Sequence, residues 1–104
     1  MKKIRILDCT LRDGGRIINC AFKNQEIKNI SEKLADAGID IIEMGFLRDG
    51  RDVEYLGDTT FFTEVHQITP FLDNKKQNVL YTAFIDYGMC NIDNLDSYDG
   101  TSID

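Results

Sequence analysis

Histidine and cysteine, the side chains that most often bind zinc, are scarce in this sequence. The chain has one histidine, His66, and three cysteines, Cys9, Cys20 and Cys90, and their spacing matches no zinc-binding pattern. Three thiols also leave one cysteine unpaired under any disulfide scheme, which favours reduced thiols in a cytoplasm. A zinc protein and a disulfide-stabilised secreted domain are therefore both disfavoured.

Basic residues and long apolar runs are also in short supply. The 12 lysines and arginines are outnumbered by 18 aspartates and glutamates, so the net charge is −6. This charge disfavours nucleic acid and anionic membrane surfaces as partners, because both bind basic patches. No segment approaches the roughly 20 apolar residues of a membrane span, and Arg5 and Asp8 interrupt the region where a signal peptide would be apolar. We therefore expect a soluble, cytoplasmic protein without a nucleic-acid or membrane partner.

Three short apolar runs indicate β-strands. They are Ile4–Leu11, Ile39–Phe46 and Val79–Ile85. The first run places apolar residues on both of its faces, as strands of parallel sheets do. A helical segment lies between the first two runs, and the order strand, helix, strand predicts a βαβ unit with parallel strands and a right-handed crossover. The predicted fold class is therefore α/β.

The segment between the first two strands, Asn24–Ala37, has the pattern of an amphipathic helix. Its apolar positions recur at helical spacing: Ile27, Ile30, Leu34 and Ala37. Asn24 is a suitable N-cap, and Gly38 stands where a left-handed residue often ends a helix. This is the best-defined helix that the sequence predicts.

The remaining segments are predicted to be mainly loops within one domain, residues 1–104. Residues 14–23 form the first loop, and residues 48–68 form a second one with a short irregular element. Thr69-Pro70 is the start of a short helix, with Thr69 as the cap and the proline at its first position.

Charged residues stand at or near the end of each predicted strand. Arg12 and Asp13 follow the first strand, Glu43 lies in the second, and Asp86 follows the third. The carboxyl ends of parallel strands meet at one edge, where α/β proteins bind ligands, so we expect these four residues to cluster. One cation among several carboxylates suits an anionic substrate together with a divalent metal that prefers oxygen ligands, Mg²⁺ or Mn²⁺.

Each of these residues also has an ordinary structural interpretation. Spacing alone slightly favours Arg12 and Asp13 as a surface pair at a turn, and Asp86 as a turn cap rather than a catalytic group. Glu43 lies between apolar neighbours and needs a partner or a metal, which favours a functional role. For Asp8, a structural hydrogen bond and a ligand role carry equal weight.

Two further features have simple explanations that involve no function. His66 lies in the least regular segment, and a surface or packing role is its default interpretation. The tetrapeptide Leu-Arg-Asp-Gly occurs twice, at residues 11–14 and 47–50, each time after a strand. Because the neighbouring residues differ, chance and a shared turn preference explain the second copy better than an internal repeat does.

Two segments together resemble the signature of a known enzyme family. Residues 7–15 are similar to the Asp-x-Thr-Leu-Arg-Asp-Gly motif of the metal-dependent aldolase, lyase and acyl-transferase barrels. That group includes 4-hydroxy-2-oxovalerate aldolase, hydroxymethylglutaryl-CoA lyase and the isopropylmalate and homocitrate synthases. Residues 37–45 resemble a second family segment, at the first helix and second strand. The resemblance covers residues 4–88 and looks closest to the aldolase branch.

The resemblance implies the first part of a (β/α)₈ TIM barrel, with about three of its strands present and the site at their carboxyl ends. Arg12 would stabilise an enolate oxyanion and bind a 2-oxo acid. Asp13 would be a ligand of Mg²⁺ or Mn²⁺ acting as a Lewis acid, and Glu43 would be a catalytic carboxylate facing the substrate or supporting the metal. Gly14, which has no side chain to obstruct a ligand, and Arg16 are taken as further substrate contacts. The reaction would cleave or form a C–C bond next to a carbonyl, in a 2-oxo acid or acyl substrate.

Two departures from the family pattern bear on this chemistry. In the oxovalerate aldolases a histidine, the expected base, follows shortly after Arg-Asp-Gly. This chain has Arg16 there, and arginine is a poor base at neutral pH. The family also completes its metal site with a His-x-His pair on a later strand, which this sequence lacks. The base and the remaining metal ligands therefore stay unassigned.

The length of the chain sets a further expectation. A barrel of this kind needs roughly 250 residues, so these 104 residues are expected to be the amino-terminal part of a longer domain and inactive alone. An open sheet would leave edges that a barrel buries, so a second copy or a partner chain could also complete it. Two alternatives stay open: a small α/β module that binds an anion or metal without catalysis, and an interaction subunit.

Overall fold

One α-helix and a small parallel sheet form the part of the chain that the computed structural model describes, residues 4–49, 58–91, 93 and 103–104. The strands are β1 (Leu7–Asp8), β2 (Ile41–Leu47), β3 (Phe61–Phe62) and β4 (Leu80–Phe84). The helix is α1 (Asn24–Asp36), and short 3₁₀ helices cover Asp13–Ile18, Val65–Gln67 and Thr69–Leu72. No helix within these ranges is long and apolar enough to cross a membrane.

Strand β2 is the centre of the sheet, and its three partners all run parallel to it. β1 pairs with its first half, where Leu7 lies opposite Ile41, and β3 with its second half, where Phe61 lies opposite Phe46. β4 pairs with both Ile41 and Phe46, so β4 occupies one edge of β2 while β1 and β3 share the other. This arrangement confirms the predicted α/β class with parallel strands.

Strand β1 is much shorter than the predicted strand Ile4–Leu11. The chain turns directly after Asp8, because the backbone N–H groups of Arg12 and Gly14 both donate to the Cys9 carbonyl at 3.1 Å. The carboxylate of Asp8 supports this turn by accepting from the Thr10 backbone N–H and hydroxyl, both at 2.9 Å. Leu11 is buried, but Ile4, Ile6 and Leu7 are exposed. The prediction that this strand is covered on both faces is therefore wrong.

The predicted loop 14–23 contains regular structure. A 3₁₀ helix spans Asp13–Ile18, and Asn19 and Cys20 follow with φ angles of 56° and 57°. These left-handed residues reverse the chain and bury Cys20. Gly15 packs so tightly that an added Cβ would lie 2.8 Å from the Phe22 ring and 3.0 Å from the Cys20 sulfur. The turn after β1 is therefore closely packed.

Helix α1 confirms the predicted helix, with a different N-cap. Lys23 is the cap residue, and its backbone N–H donates to the Glu26 carboxylate at 2.9 Å. Asn24, the predicted cap, is the first helical residue instead. Gly38 ends the helix with φ of +90°, as predicted, because a left-handed residue is required there.

The hydrophobic core fills the space between α1 and the sheet. Its buried members are Leu11, Phe22, Ile27, Ala35, Ile42, Met44, Leu47, Phe62, Val65, Ile68, Leu72, Val79 and Tyr81. On the helix, Ile30 and Leu34 are partly buried against this core, whereas the predicted core residue Ala37 is exposed. Ser31 is buried in the inward face, where its hydroxyl donates to the Lys28 carbonyl at 3.0 Å.

The second half of the chain follows the prediction in outline. β2 and β4 confirm the second and third predicted strands to within two residues at each end. Part of the predicted loop 48–68 lies outside the described residues, and the rest holds β3 and a 3₁₀ helix. Thr69 is the first residue of its short 3₁₀ helix, with Ile68 as the cap, so the predicted capping role of Thr69 is wrong.

Candidate active site

The side of the sheet away from α1 carries a row of three phenylalanines. Phe61, Phe46 and Phe84 are neighbours on β3, β2 and β4, with ring centres 5.2 Å and 6.0 Å apart. Leu47 and Phe62, the next residues of β2 and β3, belong to the core beside α1. Successive strand residues point to opposite faces, so the row faces away from the helix, near the carboxyl ends of the strands.

Three arginines from the segments that follow β1 and β2 cover this row. The distances from the guanidinium carbon to the ring centre are 4.3 Å for Arg12 over Phe84, 4.6 Å for Arg48 over both Phe46 and Phe61, and 5.6 Å for Arg16 over Phe46. These distances are within the range of cation–π attraction. We call the six residues the arginine–phenylalanine cluster. Phe46, the central ring of the row, is 1% exposed.

Glu43 holds Arg12 in this cluster. Nη2 and Nε of Arg12 donate to the same carboxylate oxygen, Oε1, at 2.9 Å and 3.3 Å. The two side chains are only 19% and 9% exposed, so Arg12 is the partner that the buried carboxylate requires. Burial acts to lower the pKa of Arg12, but the hydrogen bond and charge of Glu43 outweigh it and the pKa is raised. Arg12 therefore stays positively charged.

Asp13 occupies a more exposed position and pairs with Arg16. Its Oδ1 accepts a hydrogen bond from Nε of Arg16 at 3.0 Å and lies 3.8 Å from Nη1 of Arg12. The Asp13 side chain is 56% exposed, because it begins the 3₁₀ helix on the surface. Arg12 and Asp13 therefore form a long ion pair of unequal exposure, in which the arginine is largely buried and the aspartate faces solvent.

The carboxylates at this edge do not by themselves form a metal site. Within the described ranges, no group of three or more His, Cys, Asp and Glu side chains is placed to hold a metal ion. Arg12 engages Glu43, and Arg48 engages Asp86. Asp13 is a hard-oxygen donor of the kind that Mg²⁺ and Mn²⁺ prefer, but one carboxylate does not complete a coordination shell.

Asp86 and Arg48 form a pair that the sequence interpretation missed. Nη2 of Arg48 donates to Oδ2 of Asp86 at 2.9 Å, so Asp86 has a charged partner instead of only capping a turn. Asp86 follows β4 as predicted, but it contacts Arg48 and not the group around Glu43. The second Leu-Arg-Asp-Gly segment could have indicated a role for Arg48, since Arg48 follows β2 much as Arg12 follows β1.

Three other candidate residues, Gly14, Asp8 and His66, make ordinary structural contacts. Gly14 is exposed beside Asp13, and an added Cβ would make only ordinary contacts, the nearest at 3.7 Å with Thr10. Both oxygens of Asp8 are used by Thr10, which favours the structural role. His66 is a surface residue, with its Nδ1 3.0 Å from a Glu64 carboxylate oxygen.

Comparison with known proteins agrees with the motif. A family model described as HMGL-like matches residues 3–94. A 2-isopropylmalate synthase from Saccharolobus solfataricus is 39% identical over 64 residues, which cover 62% of this chain and 16% of that protein. A 2-isopropylmalate synthase from Sulfolobus acidocaldarius is 31% identical over 94 residues, which cover 88% and 24%. A 4-hydroxy-2-oxovalerate aldolase from Carboxydothermus hydrogenoformans is 49% identical over 43 residues, which cover 41% and 13%.

These comparisons also show how much of each relative the chain matches. The chain spans less than a quarter of the length of each of these relatives, 24% at most. No solved structure matches the chain significantly. The predicted resemblance of residues 7–15 and 37–45 to the aldolase, lyase and acyl-transferase barrels is confirmed, and the parallel sheet is consistent with the first part of such a barrel.

Proposed function

The chain belongs to the HMGL-like family, and on that premise we propose that it forms part of a divalent-metal-dependent aldolase or lyase acting on a 2-oxo acid. The reaction would cleave or form a C–C bond through an enolate. The observation that carries this proposal is the buried pair between Arg12, which follows β1, and Glu43, which lies within β2. A preorganised positive group stabilises an enolate where its negative charge develops.

Arg12 is oriented for this role by contacts on two sides. Of its five N–H donors, one on Nε and one on Nη2 are given to Glu43. Within the described residues the other three are not hydrogen-bonded, although Nη1 lies 3.8 Å from Asp13. The Phe84 ring, 4.3 Å from the guanidinium carbon, restricts the plane of the group. The role proposed for Arg12 is to bind the carboxylate of the 2-oxo acid and to donate to the enolate oxygen. Glu43 keeps Arg12 oriented and is the proposed catalytic carboxylate of this pair.

Asp13 is proposed as one ligand of Mg²⁺ or Mn²⁺, with the other ligands supplied from outside the described residues. When bound, the metal would act as a Lewis acid on the 2-oxo acid. The side chain suits this role because it is exposed at the same edge as Arg12 and offers hard oxygen atoms. Gly14 and Arg16, which flank this position, are proposed to contact the substrate.

Neither arginine beside the motif is suited to remove a proton. Arg12 has a raised pKa, and the guanidinium group of Arg16 offers hydrogen-bond donors but no acceptor. We therefore propose that the general base comes from another part of the enzyme. The contribution of this chain would be to bind and orient the acid and to stabilise the negative charge of the enolate.

Deuterium exchange into pyruvate, followed by proton NMR, tests the proposal in the full-length protein. We expect the methyl protons to exchange with solvent when Mn²⁺ is present, and the exchange to stop when a chelator removes the metal. Exchange requires formation of an enolate but no second substrate. A protein that binds Mn²⁺ and pyruvate without any exchange would instead support the alternative of a binding module without catalysis.

Asp13→Asn tests the metal part of the proposal separately. The amide retains the size of the side chain but is a poorer ligand than a carboxylate, so we expect weaker Mn²⁺ binding by electron paramagnetic resonance titration and loss of metal-dependent exchange. Asp73→Asn is a matched control, since Asp73 is an exposed aspartate away from this edge. Unchanged Mn²⁺ affinity in Asp13→Asn would remove this residue from the ligand set.

A further inference from the structure

We propose that Arg48 binds a second anionic group of the substrate, so that the substrate is a 2-oxo acid with an additional carboxylate or phosphate. The inference rests on the proposed function for the 2-oxo acid end of the molecule. Arg48 lies directly after β2, at the same edge as Arg12, and both belong to the arginine–phenylalanine cluster. Two guanidinium groups held against one row of phenylalanine rings suit a ligand with negative charge at both ends.

The side chain of Arg48 is oriented before any ligand arrives. Its guanidinium carbon lies 4.6 Å from the ring centres of both Phe46 and Phe61, and Nη2 donates to Asp86 at 2.9 Å. The side chain is 17% exposed. An arginine held in this way loses little conformational freedom when it binds an anion. Orientation of this kind favours a binding role over that of a loose surface charge.

The Nε donor of Arg48 has no hydrogen-bond partner among the described residues. Its Nε is buried and has no hydrogen-bond acceptor within the described residues, although Nη2 is bonded to Asp86. A buried N–H group without an acceptor is unfavourable. The ion pair with Asp86 does not supply an acceptor for Nε. A carboxylate or phosphate oxygen of a ligand would supply the missing acceptor.

The loops that carry this pair are tied together at the same edge. The backbone N–H of Asp49 donates to the Met89 carbonyl at 2.8 Å, and the backbone N–H of Asn91 donates to the Asp49 carboxylate at 3.1 Å. These bonds join the segment after β2 to the segment after β4, next to Arg48 and Asp86. The position of Arg48 is therefore supported by its surroundings, as a specificity group requires.

Isothermal titration calorimetry with three ligands tests this proposal on the full-length protein at fixed Mg²⁺ concentration. Pyruvate has one anionic group, 2-oxoglutarate adds a second carboxylate, and 3-phosphonooxypyruvate adds a phosphate. We expect one of the two larger ligands to bind about tenfold or more tightly than pyruvate. In Arg48→Gln this preference should disappear while the Kd for pyruvate stays within about twofold. Arg5→Gln, at an exposed arginine outside the cluster, should bind all three like the wild type.

The outcomes separate the possibilities. The larger ligand that gains affinity identifies carboxylate or phosphate as the second group. Equal affinity of the wild type for all three, or an equal loss for pyruvate in Arg48→Gln, would overturn the role of Arg48. If Arg48→Gln does not fold by circular dichroism, Arg48→Lys, which retains the charge but not the Nε donor, should lose part of the preference, and full retention would contradict the proposal. A preference for the larger ligand without proton exchange in pyruvate would contradict the enolate chemistry and not the anion site.

Discussion

The sequence and the structure suggest different partners for the side chain of Arg12. In the sequence it stands in a recognisable motif, next to an aspartate that has the opposite charge. In the structure its principal partner is Glu43, 31 residues further along the chain, while Asp13 pairs with Arg16. Because Glu43 and Phe84 fix the plane of its guanidinium, the arrangement depends on the shape of the group as well as on its charge.

Substitution of Arg12 by lysine tests that dependence on shape. Lysine retains the charge but lacks the planar fork that donates to Glu43 and to a carboxylate ligand at the same time. We expect the rate of pyruvate proton exchange to fall on the order of 10²-fold, as when a preorganised oxyanion donor is removed. Arg5→Lys is the matched control. An Arg12→Lys variant with a near-normal rate would exclude the enolate-stabilising role proposed for Arg12.

The close approach of β3 to β2 depends on Gly45. The backbone N–H of Phe46 donates to the Thr60 carbonyl at 2.9 Å, and a Cβ on Gly45, whose φ is +155°, would collide with that same carbonyl oxygen. Thr60 cannot easily yield, since its own N–H donates to the Cys20 carbonyl at 3.0 Å. The glycine therefore lets β3 pair with β2, and this pairing brings Phe61 beside Phe46.

Replacement of Gly45 by alanine is expected to destabilise the sheet by about 3 kcal/mol, because the clash is with backbone and not with a flexible side chain. Gly88→Ala is the control. Gly88 has φ of +78° but open space around it, so only the left-handed conformation is penalised, by about 1 kcal/mol. Urea denaturation of both variants measures the two costs. Equal losses of unfolding free energy would show that the contact between Gly45 and Thr60 is not tight.

At the scale of the whole molecule, the two faces of the sheet have different coverings. One face is closed by α1 and the hydrophobic core, and the other by the arginine–phenylalanine cluster. The outer strands expose apolar side chains: Ile4, Ile6 and Leu7 around β1, and Leu80 and Ile85 around β4. In a closed barrel these strands would have further neighbours. This pattern is what the first part of a (β/α)₈ barrel would present.

A contact between distant parts of the chain makes stability depend on pH. Oδ2 of Asp104 accepts from the Tyr81 backbone N–H at 3.0 Å and lies 3.0 Å from Nζ of Lys75. Burial acts to raise the pKa of Asp104, but the Tyr81 hydrogen bond and Lys75 outweigh it and the pKa is lowered from 3.8. Its stabilising effect is thus complete above the unfolded pKa and is lost as the pH falls through the folded one.

Thermal melts of the wild type and Asp104→Asn across a pH series check this expectation. The wild type should have the higher Tm at neutral pH, and the difference should shrink below about pH 4, as the carboxyl group becomes protonated. A partly exposed ion pair contributes little to the free energy of unfolding, so the shape of the pH dependence is the informative quantity. A Tm difference that is the same at all pH values would show that the charge of Asp104 is not involved.

The amino-acid sequence by itself determined the elements and the family. Apolar spacing identifies α1, β2 and β4 because the period of a helix or strand is a local property, set by neighbouring residues. Gly38 marked the end of the helix for the same kind of local reason, since a left-handed position favours glycine. The motif around Arg12 and Asp13 was equally readable, and the family comparison agrees with it.

Only the tertiary structure decided which side chains meet. The turn after Asp8 shortened β1, and the tight pairing of Gly45 with Thr60 placed β3, which no periodicity indicated. Strand register then joined Arg12 to Glu43 and Arg48 to Asp86, pairs that are 31 and 38 residues apart. Sequence spacing carries no information on such pairs, because they depend on how strands and turns from separate segments are brought together in space.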